Sequence, residues 1–167
     1  MFFLKTHAEK IKIKNEDSNE VYAPVNGKVV LLEDVEDVVF SQKILGDGAA
    51  VEPENGEVYS PVKGIVSVVF PTGHVVGITT AEGANIILHV GIDTVELKGK
   101  GFDVKVKQGD KVEAGQLLMK VDLPFVKKYH PATIMVILEK TDEFKSKCVG
   151  SKQIRAGERL LTLERIT

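Results

Sequence analysis

The chain has 167 residues, 43% hydrophobic and 28% charged, with a net charge of −2 at neutral pH and one cysteine. That length supports a single domain with a real core, and the balanced charge carries no polybasic footprint, so nucleic acid is not expected as a partner. No apolar run reaches the roughly 18 residues of a membrane span, and the lone Cys148 cannot close an internal disulfide, which suits a reducing cytoplasm.

Residues 1–20 read as a flexible, solvated leader. Phe2, Phe3 and Leu4 with Lys5, Lys10, Lys12 and Lys14 offer a weak membrane-surface tendency, but no long amphipathic face accompanies them. The start is too short for a signal peptide. The polar, acid-rich patch Asn15 to Glu20 places a boundary near Glu20, leaving residues 21–167 as the domain. From there the chain reads as short strands with glycine, asparagine or aspartate punctuation every 8–12 residues, so the expected fold is all-β.

Two internal echoes refine that fold. Val21-Tyr22-Ala23-Pro24-Val25-Asn26-Gly27 recurs 37 residues on as Val58-Tyr59-Ser60-Pro61-Val62-Lys63-Gly64. The segment around Ala114-Gly115 recurs around Ala156-Gly157. Offsets so few and unequal do not suit a solenoid; they fit an antiparallel β-sandwich or barrel whose hairpin units have been duplicated. Helix is expected only as a turn or two in Glu33 to Val39 and as a short surface helix beginning at Pro124. Ile134 to Leu138 reads as a wholly apolar core strand.

The most informative stretch is Ile86-Ile87-Leu88-His89-Val90-Gly91-Ile92-Asp93. With period two, Ile86, Leu88 and Val90 face one way, and Ile87, His89 and Gly91 face the other. A strand that buries the first set presents His89 beside an isoleucine. His74 opens the preceding apolar strand after the turn Phe70-Pro71-Thr72-Gly73, with Thr72 placed to orient its imidazole. A hairpin turning at Glu82-Gly83 sets position 74 opposite 91 or 92, bringing the two imidazoles onto one face. His7 and His130 lack chemically useful neighbours and read as bystanders.

Two histidines do not make a zinc centre, and no His-x-His, Glu-x-x-His or Cys-x-x-Cys completes a set; Asp93 or Glu96 would be a poor third ligand. No Gly-x-Ser-x-Gly, Walker loop or dinucleotide fingerprint is present, and no metal or cofactor is expected. A lipoyl- or biotin-carrier pattern in Gly109 to Leu118 fails because Met119-Lys120 falls on the wrong side of it. What remains is a histidine nitrogen as nucleophile, its other nitrogen held by a carbonyl such as that of Gly91.

At these residues the sequence resembles a known family. Leu88-His89-Val90-Gly91-Ile92-Asp93-Thr94-Val95-Glu96-Leu97-Lys98-Gly99 looks like the signature of glucose-family enzyme IIA of the bacterial phosphotransferase system. Asp37-Val38-Val39-Phe40, Gly46-Asp47-Gly48 and Thr72-Gly73-His74 match in order and spacing. The resemblance implies a barrel-sandwich hybrid fold of duplicated hybrid motifs, and a cytoplasmic, monomeric phosphocarrier. His89 would take phosphate on Nε2 from the carrier protein HPr and pass it to an enzyme IIB domain of a sugar permease. The resemblance also makes His74 the phosphate stabiliser and Thr72 its orienting hydroxyl. It assigns partner docking to Phe40, Phe70, Ile87 and Val95, with Asp37 and Asp93 as acids facing a basic carrier. Ile87 stands where phenylalanine is usual in the family, and Gly73 where asparagine is common. An alternative is a regulatory module that binds permeases or metabolic enzymes through the same face.

Overall fold

The computed structural model describes residues 9–167. The expectations for Phe2, Phe3, Leu4 and His7 lie outside the described residues. Fourteen strands follow in order: β1 (Glu20–Tyr22), β2 (Gly27–Leu31), β3 (Gly46–Pro53), β4 (Glu57–Tyr59), β5 (Gly64–Val69), β6 (Val75–Thr79), β7 (Asn85–Val90), β8 (Phe102–Val104), β9 (Lys111–Val112), β10 (Leu117–Val121), β11 (Ile134–Glu139), β12 (Phe144–Cys148), β13 (Gln153–Ile154) and β14 (Arg159–Arg165). Helix α1 (Val38–Ser41) lies between β2 and β3, and α2 (Leu123–Tyr129) between β10 and β11, with a proline in its first turn as its sequence predicts. Single 3₁₀ turns occupy Leu32–Asp34 and Thr94–Leu97.

All strand pairs are antiparallel. They form one eight-stranded sheet, β13-β2-β3-β11-β7-β6-β5-β9, and two three-stranded sheets, β1-β14-β12 and β4-β10-β8. The sheets do not close into a barrel. Exchanging β1 with β4, β2 with β5, β3 with β6, β11 with β7, β13 with β9, β14 with β10 and β12 with β8 maps the central β7–β11 pairing onto itself and every other pairing onto another. The approximate two-fold axis passes where Leu88 of β7 faces Val136 of β11. The echoes in the sequence are this symmetry. The Tyr22 amide donates to the Pro61 carbonyl at 2.8 Å, and the Tyr59 amide donates to the Pro24 carbonyl at 2.7 Å. The Gly157 amide donates to Ala23, and the Gly115 amide to Ser60, in the same relation.

Alternation along the central strands divides the apolar residues between two layers. Ile86, Leu88, Ile134, Val136, Leu138, Val76 and Ile78 pack with Val58, Met119, Leu160 and Leu161 of the small sheets in the main core. On the opposite face, Met135 and Ile137 join Leu32, Val35, Phe40, Ala50 and Ile92 in a smaller cluster with Ile87 at its margin. Strand β11 has no polar residue before Glu139 because both of its faces are covered.

Part of the segment expected as a leader is described. From Glu9 onward it is laid against the domain: the Leu117 amide donates to the Glu9 carbonyl at 2.7 Å, and the Ile11 amide donates to the Gly115 carbonyl at 3.0 Å. The side chains of Ile11 and Ile13 cover Gly115 and Gly157, the two symmetry-related turn glycines, across the approximate axis. A half-buried isoleucine every second residue, between exposed lysines, is the edge-strand pattern that a polar reading of the segment hides. Replacing Ile11 and Ile13 together by serine should lower unfolding stability by about 1–3 kcal/mol through lost apolar burial. Urea titration checks this, and a free tail would give no change.

Candidate functional site

β7 sets His89 on the same face as Ile87, opposite the fully buried Leu88 and Val90. Its direct partners are Met135 on β11 and Val75 on β6, so the imidazole stands at the margin of the smaller apolar cluster. The edge of the Phe40 ring meets it at a centroid distance of 4.9 Å. Phe40 reaches this place because Asp37 caps α1: its carboxylate accepts from the Val39 amide at 2.9 Å. The chain leaves β7 through Gly91, whose φ of +83° belongs to the left-handed region that glycine tolerates. That turn brings the Gly91 carbonyl within 2.8 Å of Nδ1 of His89.

His74 arrives by a different route from the one its spacing suggests. The β6–β7 register pairs Val75 with His89 and Thr79 with Asn85, so position 74 falls opposite 90 rather than 91 or 92. The hairpin closes around the three residues 81–83, not two: the Thr80 amide donates to the Ala84 carbonyl at 2.9 Å, and the Ala84 amide donates to the Thr80 hydroxyl at 3.1 Å. It is Val75 that shares a sheet face with His89. His74 lies just before β6, directly after Gly73 at φ +76°, where the chain has left the pleat. From there its ring meets His89 edge-on at 5.1 Å and also contacts Phe70 at 5.7 Å. The Thr72 hydroxyl lies 2.9 Å from His74 Nδ1. His74 is only 3% exposed.

Both imidazoles are held neutral. Burial lowers the pKa of His74 to about 4, with the neighbouring His89 adding to the effect. Burial also lowers His89, opposed by the Gly91 carbonyl and by the negative charges of Asp37 and Asp93. Each ring therefore carries one proton, and the hydrogen bonds decide where. With the Gly91 carbonyl able only to accept, Nδ1 of His89 carries its proton and Nε2 is a free lone pair. A Thr72 hydroxyl donating to Nδ1 of His74 leaves Nε2–H of that ring as a donor without a partner among the described residues.

The residues expected around the histidines differ in their exposure. Phe70 is 43% and Val95 52% exposed, Ile87 is half-buried, Asp93 is exposed, and Asp37 is half-exposed while capping α1. Phe40 is only 5% exposed, so it walls the imidazole rather than offering broad surface. Sequence reading missed Val38 (68%), Val39 (41%), Ile44 (53%) and Leu45 (39%), which stand exposed on α1 and the turn after it. Their signal was two apolar pairs in a segment too short to bury them. Cavities of about 750 and 1070 Å³ are lined by other residues, and a groove of about 300 Å³ is lined by Phe70, Thr72, Gly73 and Phe102 but by neither histidine. His130 is not isolated: Glu96 lies 3.5 Å from its Nε2. Among the described residues no three or more His, Cys, Asp or Glu side chains cluster as metal ligands, and no helix is long and apolar enough to cross a membrane.

The fold is a duplicated antiparallel β-structure in which His74 and His89 meet edge to edge among phenylalanines, with Asp37 and Asp93 near His89. The profile of the phosphoenolpyruvate-dependent sugar phosphotransferase system EIIA 1 family matches residues 19–144. The chain is 45% identical over 131 residues to a glucose-specific EIIA component of Halalkalibacterium halodurans, covering 76% of each chain. It is 48% identical over 118 residues to a glucose-specific EIICBA component of Staphylococcus carnosus, covering 71% of this chain and 18% of that one. The chain thus spans only about a fifth of the fused relatives it matches. The solved glucose permease IIA from Mycoplasma capricolum superposes with a TM-score of 0.77 at 35% identity, over 85% of this chain and 93% of that one. The chain belongs to the EIIA 1 family of the phosphoenolpyruvate-dependent sugar phosphotransferase system.

The depressed pKa of His74 has a consequence for folding. The unfolded chain protonates this group near 6.5 but the folded chain only near 4, so its contribution to stability is complete above about pH 6.5 and is lost as pH falls toward 4. Urea midpoints should drop from pH 7 to pH 4.5, and His74→Gln should flatten that dependence while leaving the carboxylate contributions in place.

Proposed function

We propose that His89 is the phosphoryl acceptor of a phosphocarrier, loaded by phospho-HPr and unloaded to a cysteine of an enzyme IIB domain on the cytoplasmic face of a sugar permease. The observation that carries this reading is the 2.8 Å contact between His89 Nδ1 and the Gly91 carbonyl, which leaves Nε2 unprotonated. Its lone pair attacks the phosphorus in line as the donor's bond to the phosphoryl group breaks. In the second transfer the new N–P bond breaks as a thiolate sulfur attacks from the opposite side.

His74 contributes Nε2–H to the phosphoryl oxygens, with Thr72 fixing the tautomer that makes it a donor. Both transfers run between side chains of two proteins, so the nucleophile belongs in a shallow dish and not in a deep pocket. The exposed Val38, Ile44, Phe70 and Val95 supply the apolar floor of a small, transient contact, and Asp37 and Asp93 steer a basic partner to it. The fused relatives are named as EIICBA components, which supports a IIB domain as the acceptor. No sugar site is needed on this chain, because the permease selects the sugar.

The direct test is incubation with phosphoenolpyruvate, enzyme I and HPr. Wild type should take up acid-labile phosphate and His89→Ala none; labelling of the alanine variant removes the assignment. His74→Gln should load normally and deliver to a IIB domain about 10²-fold more slowly, the size of effect seen when one donor to a developing charge is lost.

A further inference from the structure

The turn that follows β7 holds a buried side chain that the transfer step does not touch. Thr94 is fully buried, and its hydroxyl donates to the Val90 carbonyl at 2.5 Å, reaching back across Gly91, Ile92 and Asp93. Its methyl packs on Gly91 so closely that a Cβ there would lie 2.3 Å from Thr94 Cγ2. Thr94 therefore holds the peptide unit between Val90 and Gly91 from one side and the Cα of Gly91 from the other. That unit immediately precedes the carbonyl that accepts from His89 Nδ1.

The turn has reason to relax without this clamp. Gly91 sits at φ +83°, and Asp93, a residue with a Cβ, sits at +59°, so two of its three residues occupy the left-handed region. The remaining ties act through the main chain, from the Gly91 amide to the Thr133 carbonyl and from the Ile92 amide to the Pro131 carbonyl. They fix where the turn meets the loop before β11, but they bond the amides of residues 91 and 92 and leave the Val90 carbonyl to Thr94.

We propose that Thr94 is a positioning residue for His89: by clamping the Val90–Gly91 peptide it aims the Gly91 carbonyl and so selects the Nδ1–H tautomer that leaves Nε2 free. This rests on the reading of His89 as the phosphoryl acceptor. It extends the site inward by one layer, from the imidazole to its carbonyl partner to the hydroxyl that holds that carbonyl in place.

The test reads the ring nitrogens of His89 by ¹⁵N NMR in the unphosphorylated full chain, which keeps it independent of transfer. Wild type and Thr94→Ser, which retains the hydroxyl, should show pyrrole-like Nδ1 and pyridine-like Nε2. Thr94→Val keeps the packing and lacks the hydroxyl; Thr94→Ala lacks both and serves if the valine variant does not fold. In a folded hydroxyl-less variant the Nε2–H tautomer should rise about three- to tenfold, the change that one lost hydrogen bond allows. Loss of stability alone leaves the tautomer ratio unmoved. A folded variant without the hydroxyl but with wild-type ring shifts overturns the role of Thr94 and leaves the phosphocarrier reading standing. Labelling of His89→Ala overturns the phosphocarrier reading whatever the NMR shows.

Discussion

The 2.8 Å contact between Nδ1 of His89 and the Gly91 carbonyl couples the reactivity of one side chain to the conformation of one turn. An imidazole has two nitrogens of similar basicity, and only a fixed proton on one makes the other a dependable nucleophile. The carbonyl is two residues from the ring it orients, so the chain must fold back sharply after β7. A glycine at φ +83° allows this, and a side chain at that position would collide with Thr94. The strand, the turn and the tautomer are therefore one constraint expressed at three levels.

Around that constraint the site is built to stay uncharged. A protonated imidazole at His89 would have no lone pair, and one at His74 would place a second cation 5.1 Å away. Burial among Phe40, Phe70 and Phe102 disfavours both charges. Asp37 and Asp93 pull the other way on His89, so its pKa is lowered by burial and partly restored by the acids. In the proposed cycle this balance suits a group that must be neutral when it attacks, while the same acids offer a basic carrier something to approach.

Much of this was legible in the sequence because period-two alternation is a local property. Ile86, Leu88 and Val90 against Ile87 and His89 needed no knowledge of partners, and the Val-Tyr-x-Pro-Val-x-Gly echo announced the duplication before any strand was placed. The register of the β6–β7 hairpin was not legible to better than one residue, since it turned on whether two or three residues close the loop between Thr80 and Ala84. The encounter of His74 with His89 outside the pleat depends on a left-handed Gly73, which spacing does not reveal. That Phe40 lies against His89 but is buried could not be read from the sequence, because its burial comes from Leu32 and Val35 of a 3₁₀ turn and its flank. In residues 9–14 the composition is polar, and the alternating Ile11 and Ile13 that meet Gly115 and Gly157 are too short a signal to stand out in the sequence.

The symmetry of the scaffold raises the question of why only one half carries the histidines. The approximate two-fold through Leu88 and Val136 makes Ile137 the counterpart of His89 and Asp47 the counterpart of His74. The strands correspond, and the connections do not. Between β2 and β3 the chain spends residues 32–45 on a 3₁₀ turn and α1, which fold over the Ile137 side and bury it to 1% exposure. The equivalent connection between β5 and β6 is only residues 70–74, too short to cover anything. It leaves the His89 side open and delivers Thr72 and His74 to its rim. The long connection does not stop at covering its own half, since Phe40 from α1 reaches across to edge the His89 ring. Duplication supplies a rigid double sheet, and unequal loops turn one of two equivalent positions into core and the other into a site.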